Sequence, residues 1–333
     1  MFARSNKMLA ALFAAITLGC AASPAGAAEV ITYGSLPDPG YDAVVWAIEN
    51  GKISDPNVTL KVERLSSIPA LMQAAMTAQF NLIPNGVLAV PQMRESGIPV
   101  KILSTLLRYK PAGHSADLWV TKDSPLKTIQ DLKGKTIAVT SGEAQNVISI
   151  RWVISERFGM NPDIVGGDFR WVEMPHAQFE AALQSGRVDA AAFSNVASYT
   201  LTKGGAYRSV LHGSKELEQM FGGPMPSLFI LGYESDLGKR PDAYIAAGKL
   251  LKASAAYVLQ NPDEVFSAVA PRFKMTKDDV QTWFTTFAEM PLALGPTDKH
   301  VMMGAWRAGV KYGMLKKAPA SADEVVWSNA IMQ

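Results

Sequence analysis

Cysteine is almost missing from this sequence. Its single copy, Cys20, lies in an N-terminal stretch, MFARSNKMLAALFAAITLGCAASPAGAAEV, with a cationic start and an apolar run from Met8 to Gly19 too short to span a bilayer. Ala25 and Ala27 then stand in an A-x-A arrangement, so residues 1–28 read as a secretory signal peptide. Cleavage after Ala27 or Ala28 leaves a chain without cysteine, which excludes disulfides, thiolate metal sites and a cysteine nucleophile. TLGC also has the outline of a lipid-attachment site at Cys20, although Thr17 stands where an aliphatic residue is expected.

A surplus of charge is missing as well. The 32 basic and 30 acidic residues come to 30 of each once Arg4 and Lys7 leave with the leader, which argues against nucleic-acid or membrane-surface binding through bulk charge. Past the leader no apolar run approaches membrane length. The four histidines, His114, His176, His212 and His300, are scattered, and no H-E-x-x-H, G-x-S-x-G, Walker or dinucleotide motif occurs. Neither catalysis nor a resident metal or cofactor has a sequence motif behind it.

What is present is alternation. Strand-like pieces at 30–36, 57–65, 81–86, 100–107, 116–122, 135–140, 169–174, 188–193 and 227–233 are separated by helical patterns, and the chain is mainly helical from Asp242 onward. Such alternation implies parallel sheets joined by helical crossovers. The aromatic residues of the tail, Trp283, Phe284, Phe287, Trp306, Tyr312 and Trp327, have the spacing of core-facing positions.

One pattern occurs twice. AAMTAQFN runs into LIPNG from Ala74, and AALQSGRVD runs into AAAFSN from Ala181. In the second copy Phe179, Ala182 and Leu183 share a helix face, Gly186 is placed to stop the helix, and an apolar strand ends on Ser194 and Asn195. Ligands bind outside the carboxyl ends of strands in open α/β sheets. Asn85 and Gly86 in the first copy and Ser194 and Asn195 in the second are therefore candidate ligand contacts, or simple helix caps.

Three stretches carry a family resemblance: MPHAQFEAALQSGRVDAAAFSN, SPLKTIQDLKGKTIAVTSGEAQ and YIAAGKLLKASAAYVLQNPDEVFSAVA. Together they resemble the periplasmic substrate-binding proteins of ABC importers, in the branch that takes nitrate, alkanesulfonates, taurine and pyrimidine precursors of thiamine. The resemblance implies an α/β, two-lobed type II clamshell with parallel-type sheets and a helical C-terminal tail. Its expected divisions are lobe 1 at 29–118 and 230–333 and lobe 2 at 119–229, with crossings near 116–122 and 227–233. It further implies a monomer in the periplasm that takes a small molecule and delivers it to a membrane permease, with no cofactor, no metal and no nucleic acid. The first copy departs from the family: Ala78 replaces the usual glycine, Asn81 the usual aspartate, and this turn is one residue shorter than its echo.

Candidate ligand contacts follow from the loops at strand ends. Asp38 and Tyr41 lie after the first strand, where Tyr41 either stacks on a ligand or packs against its own helix. Ser66 and Ser67 precede a helix start, and Ser141, Gly142, Glu143 and Gln145 form another, each a place for an anion or carbonyl or a plain cap. Glu143 disfavours a bare anion, whereas Arg108 would attract one. A zwitterionic or mixed polar and aromatic ligand satisfies both. The alternatives to transport are a sensor domain docking on a membrane receptor and an enzyme like the fungal pyrimidine synthase, whose cysteine-rich motif is missing here.

Overall fold

The computed structural model describes residues 27–333 apart from Ser194, and the side chains of residues 68, 69, 195–197 and 202 are also outside the described set. The leader and Cys20 therefore lie outside it. Eleven strands are described: β1 (Glu29–Ser35), β2 (Val58–Arg64), β3 (Leu82–Gly86), β4 (Val100–Tyr109), β5 (Leu118–Thr121), β6 (Thr136–Val139), β7 (Arg170–Glu173), β8 (Ala190–Ala191), β9 (Tyr207–Leu211), β10 (Met225–Tyr233) and β11 (Ala288–Glu289). Between and after them run α1 (Pro39–Glu49), α2 (Ile68–Met76), α3 (Ala89–Glu95), α4 (Gln145–Phe158), α5 (Phe179–Gln184), α6 (Asn195–Gly204), α7 (Gly213–Phe221), α8 (Glu234–Lys239), α9 (Pro241–Gln260), α10 (Pro262–Val269), α11 (Lys277–Thr282) and α12 (Pro296–Lys311). All nine strands expected from the alternation form. Two were not foreseen: β9, whose apolar run is broken by Arg208 and Ser209, and the two-residue β11.

The strands make two sheets, in the orders β11-β4-β10-β3-β1-β2 and β7-β6-β8-β5-β9. Both are mixed, where the sequence suggested parallel sheets. β1, β2 and β3 are parallel, as are β6, β7 and β8, but β10 runs against β3 and β4, and β5 against β8 and β9. The reversal has a simple cause. β5 and β10 each begin where the chain has just crossed from the other sheet, so each starts at the edge where its parallel neighbours end. The crossings are residues 110–117 and 212–224, immediately before the strands that the sequence suggested as the hinge.

Helices cover the sheet faces, and local chemistry marks their ends. Asp38 caps α1 ahead of Pro39, whose missing N–H costs nothing in the first turn, and left-handed glycines close α4 and α7 at Gly159 and Gly222. A large core cluster runs from one sheet to the other: Ile83, Val87 and Leu88 near β3, Ile137 and Val139 on β6, Val147 and Trp152 on α4, and Trp306 on α12. The tail aromatics Trp283, Phe284, Phe287, Trp306 and Trp327 are buried, as their spacing leads one to expect, whereas Tyr312 is only half-buried. No helix among the described residues is long and apolar enough to cross a membrane.

Candidate ligand-binding cleft

The carboxyl ends of β1, β2, β3 and β4 share one edge of the six-stranded sheet, and those of β6, β7 and β8 share one edge of the other. Gln145, the first residue of α4, brings the two edges together. Its Nε2 donates to the Ser227 carbonyl on β10 at 3.2 Å, and its Oε1 occupies the place where a Cβ on Gly86 would be. Two of the residues singled out in the sequence, Gly86 and Gln145, are thus in direct contact, and a Cβ at position 86 would push the end of the Gln145 side chain aside.

On the first edge, Asp38 is half-buried and accepts N–H donors from Gly40 at 2.8 Å, Tyr41 at 3.4 Å and the Trp283 indole at 3.4 Å. Burial nonetheless dominates and pushes its carboxyl up to about 6. Tyr41 is only 7% exposed and packs in the core cluster around β1 and α9, so it takes the packing role of the two the sequence left open. Ser66 and Ser67 are exposed, and Ser67 Oγ caps α2 by accepting from Ala70 N–H at 3.3 Å. Pro69 has no N–H to offer, so little of that helix start is left for an anion. Asn85 is turned inward: its Oδ1 accepts from Gly86 N–H at 2.9 Å and its Nδ2 rests 3.7 Å and 3.9 Å from the sulfurs of Met72 and Met93.

On the second edge, Ser141 Oγ accepts from Glu143 N–H at 3.2 Å, and Gly142 N–H donates to Glu173 Oε1 at 2.7 Å. The Glu173 carboxylate, which sequence reading missed, therefore occupies a donor that could have served an anionic ligand. Glu143 is exposed. The first turn of α4 carries no side-chain cap, leaving backbone donors for an acceptor oxygen. His176 lies tilted against Phe179 and edge-on to Phe193, with ring centroids 5.0 Å and 5.4 Å away. Burial lowers its pKa, so it is a neutral imidazole at pH 7. Ser194 lies outside the described residues, as does the side chain of Asn195, whose backbone opens α6.

Arg108 needs correction. Its side chain is 7% exposed, and its guanidinium forks onto Asp298, with Nε at 2.8 Å from Oδ1 and the second nitrogen at 2.6 Å from Oδ2; a third nitrogen is 3.3 Å from Glu289. Thr105 Oγ1 and Gly295 N–H also donate to Asp298. This is a buried fork holding β4, β11 and α12 together, not a cation open to a ligand. Its partners lie far along the chain, and nothing local in the sequence announces them.

With the strand ends, the two-sheet order and the crossing strands in place, the deciding match is that of the NMT1/THI5-like family profile, which covers residues 64–265. The chain belongs to the NMT1/THI5-like family. Solved structures share its fold at low identity. The periplasmic aliphatic sulphonate-binding protein SsuA of Escherichia coli is 14% identical with a TM-score of 0.71, over 92% of this chain and 94% of that one. The alkanesulfonate-binding SsuA of Xanthomonas axonopodis pv. citri, solved with MOPS, is 17% identical with a TM-score of 0.65, over 90% and 98%. CA3427 of Candida albicans, described as having the generic periplasmic-binding-protein fold, is 11% identical with a TM-score of 0.64, over 92% and 98%. No curated protein compared with the sequence matches it. This member of the family accordingly has the periplasmic-binding-protein fold.

Proposed function

We propose that the protein is an extracytoplasmic solute-binding protein. Lobe 1 (29–118 with 230–333) and lobe 2 (119–229) close on a small organic molecule, and the closed form is offered to an ABC import permease. The family, the fold of the SsuA proteins and the apposed strand ends support this reading, and the crossings at 110–117 and 212–224 are where a hinge would act. Ser66, Gly86, Ser141, Glu143, Gln145, Ser194 and Asn195 are the proposed walls.

For the ligand we propose a molecule that brings its own N–H or O–H donors, such as an amine, an amide or a polar heterocycle, rather than a bare sulfonate. One observation carries this: Gly142 N–H is already given to Glu173. Arg108, the cation that would have drawn an anion, is already held by Asp298, and Glu173 with Glu143 sets negative charge beside the start of α4. The uncapped start of α4 would accept one carbonyl or carboxylate oxygen of such a ligand.

A thermal-shift panel of alkanesulfonates, nitrate, carboxylates, amines, amino acids and pyrimidine-type heterocycles tests both parts. A ligand at a hundred times its Kd adds about 2.7 kcal/mol to the native state, which for a chain of this size raises Tm by roughly 4 °C. A shift with a donor-bearing class and none with sulfonates is expected. A shift with sulfonates alone would overturn the ligand class, and no shift with any class would count against solute capture itself.

A further inference from the structure

The two crossings are where scattered residues come together. His114 follows the short 3-10 turn Pro111–Gly113, Asp117 immediately precedes β5, and His212 immediately follows β9. Asp117 is fully buried. Its Oδ1 accepts from Ser214 N–H at 3.3 Å, and its Oδ2 lies 2.7 Å from His114 Nδ1 and 3.4 Å from His212 Nδ1. Two imidazole nitrogens therefore face one carboxylate oxygen, and one potential ligand atom from each of the three residues lies within 4.8 Å of the others.

The surroundings hold this arrangement in place and leave one side open. The His114 ring is wedged between Trp119 and Phe287, at centroid distances of 5.0 Å and 5.9 Å. The His212 side chain is 59% exposed, so solvent reaches the group from one direction. A buried carboxylate with two nitrogen donors on one side and water on the other is the donor set of a borderline divalent cation. In tetrahedral geometry, ligand distances of about 2.0–2.2 Å place neighbouring ligand atoms about 3.4 Å apart. The His212–Asp117 separation of 3.4 Å already has this value, and the His114–Asp117 pair, at 2.7 Å, has to open by about 0.7 Å.

We propose that His114, Asp117 and His212 form a zinc-type transition-metal site, completed by solvent, that ties the two interlobe crossings to each other. In the metal-bound form each neutral imidazole carries its single proton on Nε2 and turns the Nδ1 lone pair to the ion, and a second proton on either ring is released to solvent. Hard cations such as Mg2+ or Ca2+ are excluded because two of the three protein donors are nitrogen. Because one ligand sits on the second crossing and two on the first, the ion is a staple at the pivot of the clamshell. The site is independent of what the cleft binds.

The test uses the full purified protein stripped with EDTA. Calorimetric titration with ZnCl2 is expected to show saturable one-to-one uptake with none for MgCl2, and Co2+ is expected to give the intense visible bands of a four-coordinate centre. His212→Gln, at an exposed side chain, and His114→Gln should each weaken Zn2+ uptake by at least about tenfold and abolish the Co2+ bands. A matching urea midpoint of metal-free His212→Gln and parent confirms that the variant is folded. Absence of one-to-one uptake overturns the site, as does uptake equally tight in both histidine variants, and either result leaves the three residues as a buried ion-pair cluster.

Discussion

The turn from α2 into β3 and the turn from α5 into β8 are one device built twice with different residues. Thr77 and Ser185 end the two helices, and each sends its hydroxyl back to the preceding turn, to Gln73 O at 2.9 Å and to Ala181 O at 2.7 Å. The next residue is left-handed in both, Ala78 at φ 51° and Gly186 at φ 70°. Three residues on, Asn81 Oδ1 accepts from Thr32 N–H at 2.9 Å, and Asp189 Oδ2 accepts from Thr136 N–H at 2.8 Å, so each strand is pinned to its neighbour by the same bond. From the helix end onward the copies match residue for residue, and the missing residue of the first copy falls within its helix rather than in the turn.

The difference teaches why the first copy departs from aspartate. Asn81 Nδ2 donates at 2.9 Å to Asp236, which also takes Arg240 and the Tyr244 hydroxyl. A carboxylate at position 81 would meet another carboxylate there, whereas Asp189 accepts from the Thr136 N–H. The largest asymmetry follows. Asn81→Asp, which loses a donor and sets two acids together, should cost about 2–3 kcal/mol in urea unfolding, with the penalty shrinking as pH falls and one acid of the pair takes up a proton. Asp189→Asn keeps the acceptor oxygen and should cost less than about 1 kcal/mol. Equal costs at the two positions would break the explanation.

A smaller asymmetry belongs to the left-handed position. Gly186→Ala should cost about 1 kcal/mol, a purely conformational price because a Cβ there meets nothing within 4 Å. Ala78→Gly should gain about half as much, since relief of φ strain is partly offset by the freer unfolded chain. Urea midpoints of the two variants moving in the same direction would sink the equivalence.

A last comparison sets side by side the two helices that open on the cleft. α1 is capped by Asp38 and α4 has no side-chain cap. Asp38 has its folded pKa pushed up to about 6, above the unfolded value of about 3.9. Its ionised form therefore opposes folding above pH 6, and that opposition fades as pH falls from 6 toward 4. Asp38→Asn retains the cap and should flatten this trend, so that the parent gains stability relative to the variant between pH 7 and pH 5.

Much of the fold was legible because it is written in local patterns. Alternation marked nine strands, the repeated stretch marked the two parallel sets, and the aromatic spacing marked a buried tail. What escaped was set by partners far away in the chain. Arg108 looked like an open cation because Asp298 and Glu289 lie in the tail, and His114 and His212 looked scattered because only the two crossings bring them to Asp117. Glu173 gave no signal at all, since its role depends on which backbone N–H the neighbouring strand presents.

The core cluster that passes through Trp152 and Trp306 also bears on how the molecule comes apart. Its members from the two sheets share one apolar cluster, beside the separate cluster that each sheet has of its own, so loss of packing at one sheet weakens the other. The calorimetric trace of the ligand-free protein should therefore show one heat-absorption peak with equal calorimetric and van't Hoff enthalpies. Trp306→Ala, which opens a gap at the seam, is the change most suited to split that single cooperative transition into two.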